Sequence, residues 1–247
     1  MPIHKFQFNY VIIAHFIGIK SMINSRKISN LFKYLFAIPK SIYVNLRVLP
    51  LNQAIKLPII VSNKTKLISL GGKINLGKVK TGIIRIGFGG TEHIDYAYTR
   101  TLLKIDGVVT FKGRAKIGLG SKFIIDKEAT FSAGERFGIT GETTILCAKK
   151  ITIGDNARIS WQCIIMDSDH HPVFDKNYSI INTPTEVNIG NNVWIGARCF
   201  ILKNTLIDDG CIIAANTTIT KKFSGVKHSV IGGDSARVLK TDIRWCN

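Results

Sequence analysis

The chain has 247 residues, 45 % hydrophobic and 20 % charged, with 34 Lys/Arg against 16 Asp/Glu. That length supports one large domain with its own core, and the apolar share excludes a disordered chain. The apolar stretch from Tyr10 to Ile19 is about half of the roughly twenty residues a bilayer span needs, so no transmembrane helix is expected; no small-x-small cleavage site follows it, so no secretory signal is expected either.

Charge divides the chain. No Asp or Glu precedes Glu92, and residues 1–91 carry 14 Lys/Arg; residues 92–247 hold the other 20 basic and all 16 acidic residues. The first part is therefore a cationic surface suited to phosphate or carboxylate, such as lipid head groups or an acidic glycan. Nucleic acid is not expected as a partner, because no zinc spacing, aromatic platform or helix-turn-helix pattern accompanies the charge.

In chain order, residues 1–45 do not repeat and read as a basic, partly helical appendage. Ile28, Leu31, Phe32, Leu35 and Phe36 predict a helix that faces the body of the protein and ends before Pro39. Phe6, Phe8 and Tyr10, with the cationic excess, favour the other reading, a helix lying on an anionic membrane surface. Residues 46–100 read as an extended lead-in with first irregular coils, through Ile-Gly pairs such as Ile86-Gly87.

Residues 101–222 carry the pattern that sets the fold. Ile189, Ile195, Ile201, Ile207, Ile213 and Ile219 recur every six residues, and the same register appears at Ile153, Ile159, Ile165 and at Ile105, Phe111, Ile117, Phe123. Neither a helix nor a plain strand has that period. A short strand plus a bend does, because each isoleucine and the residue two before it face one side. Those preceding positions are small or β-branched: Val187, Val193, Cys199, Thr205, Cys211 and Thr217. Three units then make a triangular coil of 18 residues, and coils stack about 4.8 Å apart. Skipped steps between Phe123 and Ile153 predict uneven coils there. The five cysteines have no CxxC spacing, and Cys163, Cys199 and Cys211 fall in the repeating apolar slot, which predicts buried thiols.

From Ile165 to Ile189 the register is kept, but the gap is four units rather than one, an insertion over residues 166–187. Loops of this length in a compact domain are usually functional or disordered. This one reads Met166-Asp167-Ser168-Asp169-His170-His171-Pro172-Val173. An imidazole there can take a proton from a hydroxyl, and a neighbouring carboxylate can fix its tautomer. Ala197 and Ala215, 18 residues apart, occupy one spot on successive coils and leave a groove along an edge. Thr220, Lys221 and Lys222 follow it, and Arg237 lies in the tail, residues 223–247; such cations suit phosphates.

On these motifs the chain resembles the hexapeptide-repeat acyltransferases, which form a left-handed parallel β-helix, most closely from Ile151 to Arg237. The Ile159-Ser160-Trp161 and Asp167-Ser168-Asp169 stretches are similar to the capsule-type O-acetyltransferases. The resemblance implies His171, ahead of His170, as the general base, with Asp169 as its orienting partner and Asp167 as the competitor. It implies acetyl-CoA as donor, along Trp194, Ala197, Ala215, Thr220, Lys221 and Arg237, an N–H near Ala197 as oxyanion donor, and no metal. A cytoplasmic homotrimer is implied, at the inner face of the membrane if the basic region binds lipid, with a sugar or glycan acceptor of a surface polysaccharide. Transfer to an amine of a nucleotide sugar, or to a small xenobiotic hydroxyl, is the alternative. Two departures stand out. Residues 139–142 lack the acceptor-binding Asn of the small-sugar members, and Gly233-Asp234-Ser235 replaces a Gly-x-Pro before the Arg. A zinc enzyme of similar coil would need three converging imidazoles, which the sequence does not supply. A catalytically silent anion-binding coil does not account for the histidine loop.

Overall fold

The computed structural model describes residues 25–89, 91–92 and 94–246. The chain divides into two compact units, residues 1–35 and 36–247. Phe6, Phe8 and Tyr10 lie outside the described residues, as do the side chains of Ile28 and Leu31.

The second unit is a left-handed parallel β-helix of three sheets. Sheet A contains nine strands, from Ile59–Val61 to Arg237–Lys240; sheets B and C contain seven each, from Lys66–Ser69 to Thr218–Ile219 and from Lys73–Leu76 to Lys222–Phe223. The chain visits A, B and C in turn, so the prism has an A–B, a B–C and a C–A corner. Stacking follows the isoleucines: Ile159 pairs with Ile195 and Ile195 with Ile213, while Ile165 pairs with Ile201 and Ile201 with Ile219. All of these are buried, as are Val187, Val193, Cys199, Thr205, Cys211 and Thr217 two residues before the repeat. Burial pushes the Cys147 and Cys211 thiols above the usual cysteine range, with the Asp167 carboxylate adding to the effect at Cys147, so these thiols stay neutral core groups.

The broken periodicity before Ile153 has a plain cause. Ile117 pairs with Ile139 and Ile139 with Ile159, so these coils are 22 and 20 residues long. The strands of these coils run to four or five residues against two in the 18-residue coils, and the added inward residues, such as Ile125, Ala133 and Cys147, widen the prism, which Phe111, Phe123, Phe131 and Phe137 fill with ring centroids 4.9–6.5 Å apart. The narrower 18-residue coils are filled by isoleucine, valine, cysteine and threonine.

The N-terminal helix differs from the expectation in two ways. It spans Ser25–Val48 and continues through Pro39. Proline removes one backbone hydrogen bond, but the segment beyond it is fastened to the coil. Asn45 Nδ2 donates to the carbonyls of Ile59 (2.7 Å) and Ser41 (2.7 Å), Asn45 Oδ1 accepts from Ile59 N–H (3.1 Å), and Ser41 Oγ accepts from Val61 N–H (2.9 Å). The packed face is Ala37, Ser41, Val44 and Asn45, all fully buried. The aromatic and aliphatic face points to solvent instead, Phe36 among it at 58 % exposure and Leu46 at 53 %. Two amide and hydroxyl anchors decide the orientation, because a buried polar pair that finds partners is worth more than one loose apolar contact.

Candidate active site

The insertion leaves the coil at the B–C corner, after the sheet-B strand Ile164–Met166, and returns at the sheet-C strand Val187–Ile189. Its root is built on Asp167. This carboxylate is fully buried and accepts the N–H groups of Ala148 (2.7 Å), Lys149 (2.9 Å) and Lys150 (2.6 Å) on the coil below. The Asp167 carbonyl accepts from Thr185 N–H (2.9 Å), which closes the loop where it rejoins the body.

Beyond the root, the chain turns sharply. Ser168 Oγ accepts from His170 N–H (3.0 Å), His170 takes a left-handed φ of +61°, and His171 N–H donates to the Asp169 carbonyl (2.8 Å). Asn182 on the returning arm holds this turn: its Nδ2 donates to the His171 carbonyl (2.8 Å) and to Asp169 Oδ2 (2.9 Å), and its Oδ1 accepts from Val173 N–H (2.6 Å). Lys203, on the same corner one coil on, donates to Asp169 Oδ2 (2.6 Å) and to the Asn182 carbonyl (3.0 Å). The Lys203 ammonium, then the Asn182 amide, hold the Asp169 carboxyl below the usual carboxylate range, with the charge of His170 a smaller contribution. The loop therefore presents an exposed imidazole on a turn fixed through its backbone. Neither ring nitrogen of His171 has a hydrogen-bond partner among the described residues, and Asp169 spends its carboxylate on Lys203 and Asn182.

The small-residue edge is a different corner. Ala197 and Ala215 stack at the A–B corner, where Asn216 N–H donates to the Ala197 carbonyl (2.8 Å). The contrast with the C–A corner shows what alanine does here. On that corner Asp155, Asn191 and Asp209 stack, and each side chain accepts an N–H one coil below: Glu135 N–H on Asp155 (2.8 Å), Asp155 N–H on Asn191 (2.8 Å), Asn191 N–H on Asp209 (2.6 Å). Ala215 has no atom to accept with, and the Ala197 N–H has no acceptor among the described residues. The A–B edge thus offers an open N–H beside two small side chains.

The other expected residues are dispersed. Thr220 and Lys221 are exposed at the B–C corner, and Lys221 Nζ lies 5.3 Å from the Phe223 ring centroid. Trp194 projects from sheet A, 41 % exposed, with its Nε1 donating to Ser160 Oγ (3.2 Å). Arg237 opens the closing antiparallel strand of sheet A opposite Gly232. One chain therefore gathers His171, Asp169, Thr220 and Lys221 at one corner and holds Ala197 and Ala215 at another, roughly 15–20 Å away by the rise of an extended strand.

Sequence reasoning missed Lys203 and Asn182, which carry no local pattern. It also missed the tail. Trp245 packs against Trp194 with ring centroids 6.1 Å apart and planes tilted by 45°, and its Nε1 donates to the Asn192 carbonyl (2.7 Å). Beside it opens a cleft of about 500 Å³ on the C–A corner.

The sequence profile of the bacterial transferase hexapeptide, six repeats, matches residues 186–221. The polysialic acid O-acetyltransferase of Escherichia coli O1:K1 / APEC is 30 % identical over 135 residues, covering 54 % of this chain and 41 % of that one. The galactoside O-acetyltransferase of Escherichia coli K12 is 31 % identical over 109 residues, covering 43 % and 52 %. The chain thus spans about half or less of the length of these curated relatives. Among solved structures, the polysialic acid O-acetyltransferase OatWY is similar in fold, with a TM-score of 0.50 and 21 % identity over 74 % of this chain and 91 % of that one. With its six-residue repeat and three-sheet coil, the chain is similar to the hexapeptide-repeat acyltransferases, and the profile match over residues 186–221 falls on the most regular coils.

Proposed function

We propose that this protein is an acetyl-CoA-dependent O-acetyltransferase that modifies a sugar hydroxyl of a surface polysaccharide or its precursor. The observation that carries this reading is the exposed His171 on a loop anchored at its root by Asp167 and at its turn by Lys203. An imidazole with both ring nitrogens open can receive a hydroxyl proton. The acceptor oxygen then attacks the thioester carbonyl carbon, the tetrahedral oxyanion accepts the Ala197 N–H, and the C–S bond breaks. The proton passes from His171 to the departing sulfur. One well-aimed oxyanion donor is worth about 3 kcal/mol in acyl transfer. Asp169 acts by fixing the turn through Lys203 and Asn182 and not by touching the ring. Because His171 and Ala197 sit on different corners, the transfer site is completed between two copies of the chain. The relatives that are acetyltransferases of polysialic acid and galactosides support the acetyl donor and the glycan class.

The experiment is thioester consumption over a panel of sugars and lipid-linked glycans, with His171→Ala beside the parent protein. A rate loss of about a hundredfold or more is expected for removal of a general base. Near-parental turnover by the variant would remove His171 from this role.

The outward face of the N-terminal helix, with the short helix Leu51–Ala54 and Ile55 that follow it, adds an anionic membrane surface to this reading. Ile38, Ile42, Tyr43, Leu46, Leu51 and Ile55 are 41–69 % exposed, and residues 36–91 carry nine Lys/Arg and no Asp or Glu. An apolar face beside unopposed positive charge matches the interface of an acidic bilayer, where each basic residue adds about 1 kcal/mol. Among the described residues no helix is long and apolar enough to cross a membrane.

A further inference from the structure

We propose that the cleft on the C–A corner is a binding site for an acidic oligosaccharide, separate from the transfer site. One wall is a straight row that crosses five coils: Arg136, Asn156, Asn192, Gly210 and His228 stack there with φ between +52° and +72°. Left-handed φ turns the four side chains of this row outward along one edge, and four coil steps span roughly 19 Å. The other wall is Arg244 and Trp245 from the tail, tied down by Ile243 N–H on the His228 carbonyl (2.9 Å) and by Trp245 Nε1 on the Asn192 carbonyl.

The chemistry of the row is one-sided. Arg136 Nε donates to Asn156 Oδ1 and Asn156 Nδ2 to Asn192 Oδ1 (3.0 Å), so both amide oxygens are used by the row itself. The Arg136 Nη groups, Asn192 Nδ2 and the whole Arg244 guanidinium remain as donors, and no ion pair involves either arginine among the described residues. Asp155 and Asp209 stack beside the row and each accepts a backbone N–H, while Glu135, next to Arg136, pairs with Lys78 (2.6 Å). The His228 imidazole lies flat against Gly210, where a Cβ would come within 2.3 Å of its Nδ1. Only glycine at 210 leaves room for that ring, which keeps the upper end of the cleft open and polar.

Two separated guanidinium groups, amide donors between them and an indole face make a surface for a chain of pyranose rings bearing carboxylates. A nucleotide phosphate would call for donors converging on one point, and here they are strung along an edge. The half-open cleft, with a volume of about 500 Å³, falls in the ordinary size range for ligand sites. The inference rests on the proposed glycan reading for its biological sense: the cleft would hold the acceptor chain while another of its sugars reaches His171. Its test does not use transfer at all.

The test is titration of the full-length protein with a sialic acid tetramer and with tetragalacturonate, against maltotetraose, followed by tryptophan fluorescence and calorimetry. Either acidic tetramer is expected to change the emission of the Trp194–Trp245 pair and to bind more weakly as salt rises. Arg244→Gln and Trp245→Ala should each weaken binding about tenfold, the size of one charge-assisted contact, while His171→Ala should leave it unchanged. Melting temperature and mass by light scattering accompany each variant. Equal binding of maltotetraose, no effect of Arg244→Gln in a folded protein, displacement by CoA, or a change of assembly mass in Trp245→Ala would each overturn the proposal. Failure of the acetyl-transfer assay alone would leave it standing.

Discussion

Asp167→Asn separates a structural carboxylate from a catalytic one. Asp167 is fully buried and accepts three backbone N–H groups at 2.6–2.9 Å. Asparagine keeps Oδ1 on Ala148 but sets an NH₂ against the N–H groups of Lys149 and Lys150, so two bonds to a charged acceptor are lost. Each is worth about 1.5–3 kcal/mol. Part of that is offset because a neutral amide costs less to bury than a carboxylate, leaving a loss of about 2–4 kcal/mol. For a chain of this size that corresponds to a drop in Tm of roughly 5–15 °C. Native-state hydrogen exchange should accelerate at the amides of residues 148–150, and calorimetry should report the lower Tm. A variant that melts normally, keeps those amides protected and yet loses acetyl transfer would show that Asp167 acts on the imidazole, and the present assignment of its role would be wrong.

Two further predictions follow from neighbouring contacts. Lys203→Met removes the leading cause of the lowered Asp169 pKa. A depressed carboxylate stabilises the loop at every pH above its ordinary value near 3.9, and that stabilisation is lost as pH falls through the lowered folded value. The variant should lose it earlier, close to the ordinary value. The pair is 24 % and 48 % exposed, so global stability should fall by under about 1 kcal/mol, whereas exchange across residues 169–182 should rise and thioester consumption should drop about tenfold; unchanged exchange would exclude Lys203 as the anchor. On the N-terminal helix, the double substitution Ile42→Glu, Leu46→Glu should abolish co-sedimentation with phosphatidylglycerol vesicles by about a hundredfold in partition, two apolar insertions of about 1.5 kcal/mol or more each. Retained vesicle binding, or a change in assembly mass without any vesicle effect, would assign that face elsewhere.

What could be read from the sequence follows from where a residue's constraint comes from. The isoleucine period is legible because every interior slot of an 18-residue coil accepts nearly the same side chain, so geometry prints itself on the sequence. The 22- and 20-residue coils are less so, because their longer strands add an inward residue, as Phe123 with Ile125 or Ile145 with Cys147, and each addition shifts the six-residue period by two. The helix 25–48 shows an apolar stripe, but a stripe does not say which side of it the coil occupies; Ser41 and Asn45 decided that through partners at Ile59 and Val61, far along the chain. The distinction between Asp167 and Asp169 was available: Asp167 follows inward-facing Ile165 by two residues, so strand alternation turns it into the prism. Lys203 was not, since a single lysine at a corner has no local signature and its meaning comes only from the carboxylate 34 residues earlier.

The tether also bears on how many copies a transfer site needs. His171 is two residues from Asp169, and Asp169 is clamped to Lys203 on the B–C corner at 2.6 Å. Two extended residues reach about 7 Å. Ala197 lies across the whole width of sheet B, roughly 15–20 Å from that corner, so the imidazole cannot swing to its own small-residue edge while the clamp holds. Releasing the clamp would expose the very turn that orients the ring, which exchanges reach for precision, and misplacement of a base by 1 Å already costs catalysis heavily. On the proposed reading, a loop fixed this firmly to one corner serves a donor edge that approaches it from outside the prism. The proposed complement is the A–B edge of a second copy, which, set against the first copy's B–C corner, would bring the open Ala197 N–H and the open imidazole to the same carbonyl.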